Sequence, residues 1–122
     1  MPYVAVALIL FVAVEHVYIL VLEMFLWATP TGMRTFRRSR EEQESTKVLA
    51  ANQGLYNGFL AAGLFWSFFV AADFAFSVRV FFLVCVVVAG LYGGVTAARR
   101  ILFVQAAPAA VALASVLAAH LL

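Results

Sequence analysis

The residues best suited to chemistry in this chain stand in hydrophobic surroundings. Glu15, His16 and Glu23 all fall within one apolar run from Tyr3 to Trp27. An ionisable group at membrane depth is costly and by default marks a ligand site or a proton path. Glu15 lies 12 residues after Tyr3. That is about 18 Å along a helix, near the middle of a hydrocarbon core about 30 Å thick. At about 100° per residue, with Glu15 at zero, Glu23 falls near about 80°, His16 near about 100° and Trp27 near about 120°. These groups share one broad face, which must turn toward protein or water. His16 is the first candidate catalytic group, because an unperturbed imidazole titrates near neutrality. Glu15 or Glu23 would orient it or carry the proton.

A second run holds the matching feature. With Asn52 at zero, Tyr56 falls near about 40°, Gln53 near about 100° and Asn57 near about 140°. Two successive spans run in opposite directions, so Glu23 should share a depth with Asn52 and Gln53, and His16 with Asn57. Amides buried without partners cost several kcal/mol each, so the two polar faces should meet. Gln105, further along, could close the same end. Glu15, His16, Glu23, Asn52, Gln53, Tyr56, Asn57 and Gln105 are therefore the expected ligand-binding set. The bland alternative is that they satisfy one another and only specify helix packing. No metal site is expected. Glu15 and His16 are adjacent and diverge, and no pair on this helix has the i, i+4 spacing that chelation by one helix needs. The pattern names no cofactor.

These residues need helices in lipid to position them. The chain has 122 residues, 66% hydrophobic and 11% charged, with a mean hydropathy of +1.06. A soluble domain this small could not bury that much apolar surface. We expect an all-α, four-helix transmembrane bundle in a single domain of residues 1–122, a multi-pass protein of the cell membrane. Its helices should cover about residues 3–28, 48–72, 79–97 and 107–121. The first is read as a retained span, because it lacks the basic start of a signal peptide. Residues 30–46 read as a solvated loop, with a short surface helix as the alternative. Arg99–Gln105 reads as an interfacial connector, with Pro108 in the first turn of a short last helix.

Charge placement sets the expected orientation. Arg34, Arg37, Arg38, Arg40 and Lys47 follow the first span, and Arg99 and Arg100 follow the third, whereas Arg79 stands alone at the other end. That bias puts the basic segment in the cytoplasm and both termini outside. A net charge of +2 is too small to suggest nucleic acid as a partner. Gly54/Gly58 and Gly90/Gly94 have the small-xxx-small spacing of close helix contacts, within the chain or in a homo-oligomer. Cys85 is the single cysteine, so no internal disulfide can form.

Three stretches carry a resemblance. They are Glu15-His16-Val17-Tyr18 running into Leu22-Glu23-Met24-Phe25-Leu26-Trp27, then the run from Ala51 to Gly63, then Val104-Gln105-Ala106-Ala107-Pro108-Ala109. Together they resemble an uncharacterised bacterial family of small four-helix integral membrane proteins, a domain of unknown function. The resemblance covers essentially the whole chain and implies no activity. Asn52 and Tyr56 are also similar to an Asn and a Tyr of the membrane-associated eicosanoid and glutathione metabolism proteins. Leu55 and Val48 stand where that family carries Glu and Arg, so this likeness extends to architecture and not to the glutathione-binding set. The mid-span Glu15 is similar in place to the glutamate of small multidrug exporters.

Three functions remain open at this level. The first is binding, and conversion, of a small molecule in a polar pocket between helices one and two. The second is proton-coupled transport through Glu15. The third is a structural or assembly role with no ligand.

Overall fold

The structure is a computed structural model that describes residues 2–122, with side chains from residue 3 onward. Among the described residues the regular elements are all helices, with no strand. The helices are α1 (Pro2–Phe25), α2 (Pro30–Phe36), α3 (Arg40–Trp66), α4 (Ala72–Thr96) and α5 (Ala107–Leu121), with a π-helical turn over Leu102–Ala106. Three stretches are long and apolar enough to cross a membrane: Tyr3–Phe25, Ala72–Thr96 and Leu102–Leu121. α3 is not among them. Its first two turns are charged, and Asn52, Gln53 and Asn57 dilute the apolar remainder.

Local chemistry fixes the helix ends. Pro30 has no N–H to continue α1 and suits the first turn of α2 instead. Thr29 caps α2, its Oγ1 accepting from the Gly32 N–H at 3.4 Å and donating to the Leu26 carbonyl at 2.6 Å. Arg37 ends α2 in the left-handed region, with φ 56. Ser39 and Glu42 then form a reciprocal capping box. The Ser39 N–H donates to Glu42 Oε1 at 3.0 Å, and the Glu42 N–H donates to Ser39 Oγ at 3.2 Å. That box starts α3 at Arg40.

Two expectations are corrected here. Residues 30–46 are not a solvated loop, because the Thr29 and Ser39 caps supply the hydrogen bonds that two helix starts need. Arg99–Gln105, expected as an interfacial connector, is helical from Arg100 and runs into the π-helical turn. Pro108 cannot donate to a carbonyl four residues earlier, and a wide π-turn is one way for a helix to pass such a residue. The last apolar stretch is therefore 20 residues long, longer than the expected 107–121.

The chain forms two compact units, residues 1–13 with 60–122, and residues 14–59. In the first, Ile9, Val12, Leu64, Leu83, Val86, Ala109 and Ala112 are fully buried and form one apolar core. Small residues let helices approach: a Cβ at Gly90 would sit 2.7 Å from the Ala106 nitrogen, and one at Gly63 would enter the Phe82 ring. Phe81, Val88, Phe103 and Val111 point outward, each more than half exposed. Small residues inside and large apolar ones outside is the arrangement expected of helices solvated by lipid. In the second unit Gly54 and Gly58 face α1: added Cβ atoms would lie 2.7 Å from Met24 Cγ and 2.6 Å from Leu20 Cδ1. Gly94 packs on Leu102. The contacts of Gly54, Gly58, Gly90 and Gly94 seen here are thus within the chain, where the missing side chains make room for its own neighbours.

Candidate functional site

The polar centre of the second unit is Glu23. Its carboxyl is buried, at 3% exposure, and each oxygen takes one amide. Gln53 Nε2 donates to Oε2 at 2.8 Å and Asn57 Nδ2 donates to Oε1 at 2.6 Å. Gln53 and Asn57 are four apart on α3, so they reach one carboxyl from successive turns. Gly54 lets the Glu23 stem come this close, since a Cβ there would sit 3.0 Å from Glu23 Cβ. A carboxylate offers about four lone-pair sites. Two donors leave capacity for more.

Glu23 also lines a groove of about 640 Å³. Met24, Trp27, Val48 and Ala51 supply apolar walls, and Thr29, Glu44, Lys47 and Asn52 supply polar groups. Lys47 Nζ and Glu44 Oε2 are 3.5 Å apart in an exposed pair. Their charges offset each other, and Glu23 is the remaining ionisable group of the lining.

Trp27, one wall of the groove, is held by a set of contacts that the sequence reading missed. Gln43 is fully buried, and its Nε2 donates to the Trp27 carbonyl at 2.8 Å. Trp27 Nε1 donates to Thr46 Oγ1 at 3.1 Å, and its ring lies 4.6 Å from that of Phe36. Gly32 sits where any side chain would meet the Leu26 and Trp27 carbonyls. The readable signal was Ser39-Arg40-Glu41-Glu42, a capping-box sequence that starts a helix and so carries Gln43, Thr46 and Lys47 on regular turns. Glu42 itself is exposed. The Ser39 backbone N–H, then the Ser39 hydroxyl, hold its carboxyl below the usual carboxylate range, with Arg38 adding to the effect.

The other expected residues are distributed as follows. Asn52 lines the groove beside Glu23. His16 is fully buried within the same unit and is not among the groove-lining residues. Glu15 is half-buried, and its Oε1 is enclosed without a hydrogen-bond partner among the described residues. Tyr56 is 63% exposed, with its ring 5.9 Å from that of Phe59. Gln105 belongs to the π-helical turn of the other unit. The geometry therefore gathers Glu23, Gln53, Asn57 and Asn52 and leaves Tyr56 and Gln105 outside the cluster.

Comparison with known proteins finds relatives over most of the chain and is silent on activity. A family model described as "Protein of unknown function (DUF1304)" matches residues 10–117. "Uncharacterized protein YpaA" of Lactococcus lactis subsp. lactis (strain IL1403) is 36% identical over 117 residues, covering 94% of this chain and 98% of that protein. No solved structure matches the chain.

Proposed function

The chain belongs to that family of unknown function, and on this premise we propose that it binds a small, hydrogen-bond-donating molecule in the groove beside Glu23. The observation that carries the reading is the buried Glu23 carboxyl. It lines the groove and is held by two amides that leave part of its accepting capacity unused. An amine or amidine group would complete it. Asn52 and Thr29 offer further polar contacts, and the Trp27 and Val48 walls suit an apolar body. The proposal is for binding. His16, the expected proton-transfer group, does not line the groove, so no conversion is assigned.

The same reading places the protein in the membrane as a single four-helix, multi-pass domain, with α3 as the fourth span beside the three apolar stretches. Pairing of Gln53 and Asn57 with Glu23 supports it, because it satisfies two of the three amides that lower the hydropathy of α3. The basic residues from Arg34 to Lys47 would then face the cytoplasm, with both termini outside.

Native mass spectrometry of the protein released from gentle detergent tests the binding reading. A reproducible small-molecule adduct is expected, lost in Glu23→Gln and in Asn52→Ala. An adduct that survives Glu23→Gln would place its site elsewhere. A protein that flies without adduct would instead favour proton-coupled transport through Glu15, whose Oε1 is enclosed without a partner. Proton flux into liposomes would then be measured.

A further inference from the structure

Arg79 is the one basic residue that stands apart from the two basic clusters, and it does not line the groove at Glu23. It lies seven residues into α4, about 10 Å along the helix axis. A guanidinium within an apolar span normally finds a carboxylate, a backbone acceptor or a ligand. Among the described residues Arg79 has no acidic partner. The ion pair present is that of Lys47 with Glu44.

The guanidinium is nevertheless held in one orientation. Arg79 Nε donates to Ser67 Oγ at 2.9 Å. Ser67 is buried and spends its own proton on the Leu64 carbonyl at 2.6 Å. The hydroxyl is therefore fixed as an acceptor for Arg79. The guanidinium carbon lies 4.4 Å from the centre of the Phe68 ring, a cation–π distance. One N–H is used and one face is covered. The other N–H groups of the fork remain to bind an anion with two or more accepting oxygens, such as a phosphate.

They border a cavity of about 190 Å³. Val6, Phe76 and Val116 form apolar walls, and His120 is the second polar group of the lining. The His120 ring stacks on Phe76 at 3.7 Å between centroids, tilted by 17°, which holds its edge in place. All of these residues belong to one compact unit. The cavity is smaller than the roughly 300–1,000 Å³ of drug-sized sites, so it suits a head group and not a whole molecule. A cationic fork, an imidazole and greasy walls suit an anion attached to an apolar chain.

We infer that Arg79 and His120 form a binding site for the phosphate of an anionic amphiphile, with Ser67 and Phe68 as positioning residues. The site is separate from the groove at Glu23 and stands or falls without it. Titration of the detergent-solubilised protein by native mass spectrometry tests it, using short-chain phosphatidylglycerol, phosphatidylcholine and inorganic phosphate as probes. Phosphatidylglycerol should bind in preference to phosphatidylcholine. Arg79→Gln should weaken binding by about tenfold or more, the loss expected of a hydrogen bond to a charged group. Arg79→Lys should fall between the two, because it keeps the charge and loses the fork. His120→Ala should weaken binding several-fold and Glu23→Gln should leave it unchanged. Displacement of the lipid by inorganic phosphate would support a head-group site open to free anions. Lack of displacement would support one that also needs the chain. Should Arg79→Gln fail to keep its helical circular dichroism, the exposed His120 decides. Equal phosphatidylglycerol binding by wild type and His120→Ala, or no preference for the anionic lipid, would overturn the inference.

Discussion

The two compact units enclose different kinds of matter. In residues 1–13 and 60–122 the buried cluster is apolar, built from Ile9, Val12, Leu64, Leu83, Val86 and small alanines, and Ser67 is its buried polar side chain. In residues 14–59 the buried set includes His16, Glu23 and Gln43. One unit is specified by shape, the other by hydrogen bonds. In lipid these devices differ in strength. Close packing has no competitor for a missing atom, whereas an unpaired polar group can find another partner within the membrane. The apolar unit should therefore be the more sensitive to single changes, and the polar unit the better suited to exchange a partner for a ligand.

The largest expected effect is Leu83→Ala. Leu83 is fully buried, and the cavity should cost about 2–5 kcal/mol, read as loss of thermal stability in detergent. Next comes Gly90→Leu, where the side chain must displace the Ala106 backbone, 2.7 Å from the new Cβ. Overpacking of this kind costs about 1–3 kcal/mol. Gly93→Ala is its control, since that Cβ would lie 3.3 Å from the Ile101 side chain and should change little. In the polar unit, a Glu23/Asn57 double-mutant cycle should give a coupling of about 0.6 kcal/mol and at most about 1.7 kcal/mol, the mean and the maximum found for interhelical hydrogen bonds in a membrane. A coupling as large as the Leu83→Ala loss would break the comparison.

The smallest effect sharpens it at the helix start. The depressed Glu42 carboxyl favours the folded state at pH values above the ordinary carboxylate range. That contribution is lost as the pH falls through the lowered folded value. The protection of first-turn α3 amides, measured against their intrinsic exchange rates at each pH, should fall on acidification, and Glu42→Gln should remove that fall. A first turn equally protected in acid would show that the Gln43 bond to Trp27 holds it without the cap.

Much of the polar unit was legible in the sequence. Periodicity put Glu23 on one helix face and Gln53 and Asn57 on another, and the cost of burying amides predicted that they meet. Glu15, His16 and Tyr56 were assigned to the same zone because a helical wheel resolves faces and not contacts. Neighbours about 100° apart can point into different environments. The segment 30–46 was misread because its composition is polar, although Ser39 and Glu42 carry a capping signal that composition does not weigh. Arg79 drew notice as a topology marker, and nothing in its own neighbourhood of sequence announces Ser67, Phe68 and His120 around it.

By itself the sequence determined an all-helical chain with apolar stretches long enough to cross a membrane, and polar residues too costly to leave unpaired. Hydropathy and period are properties of composition and spacing, and both are read one residue at a time. The tertiary structure alone decided that Glu23 is the carboxyl that takes the two amides, that the glycine pairs seat the chain's own helices, and that a π-turn carries the last stretch past Pro108. Those outcomes depend on the rotation and register of packed helices to within an ångström, and that is set by the mutual fit of side chains far apart in the chain.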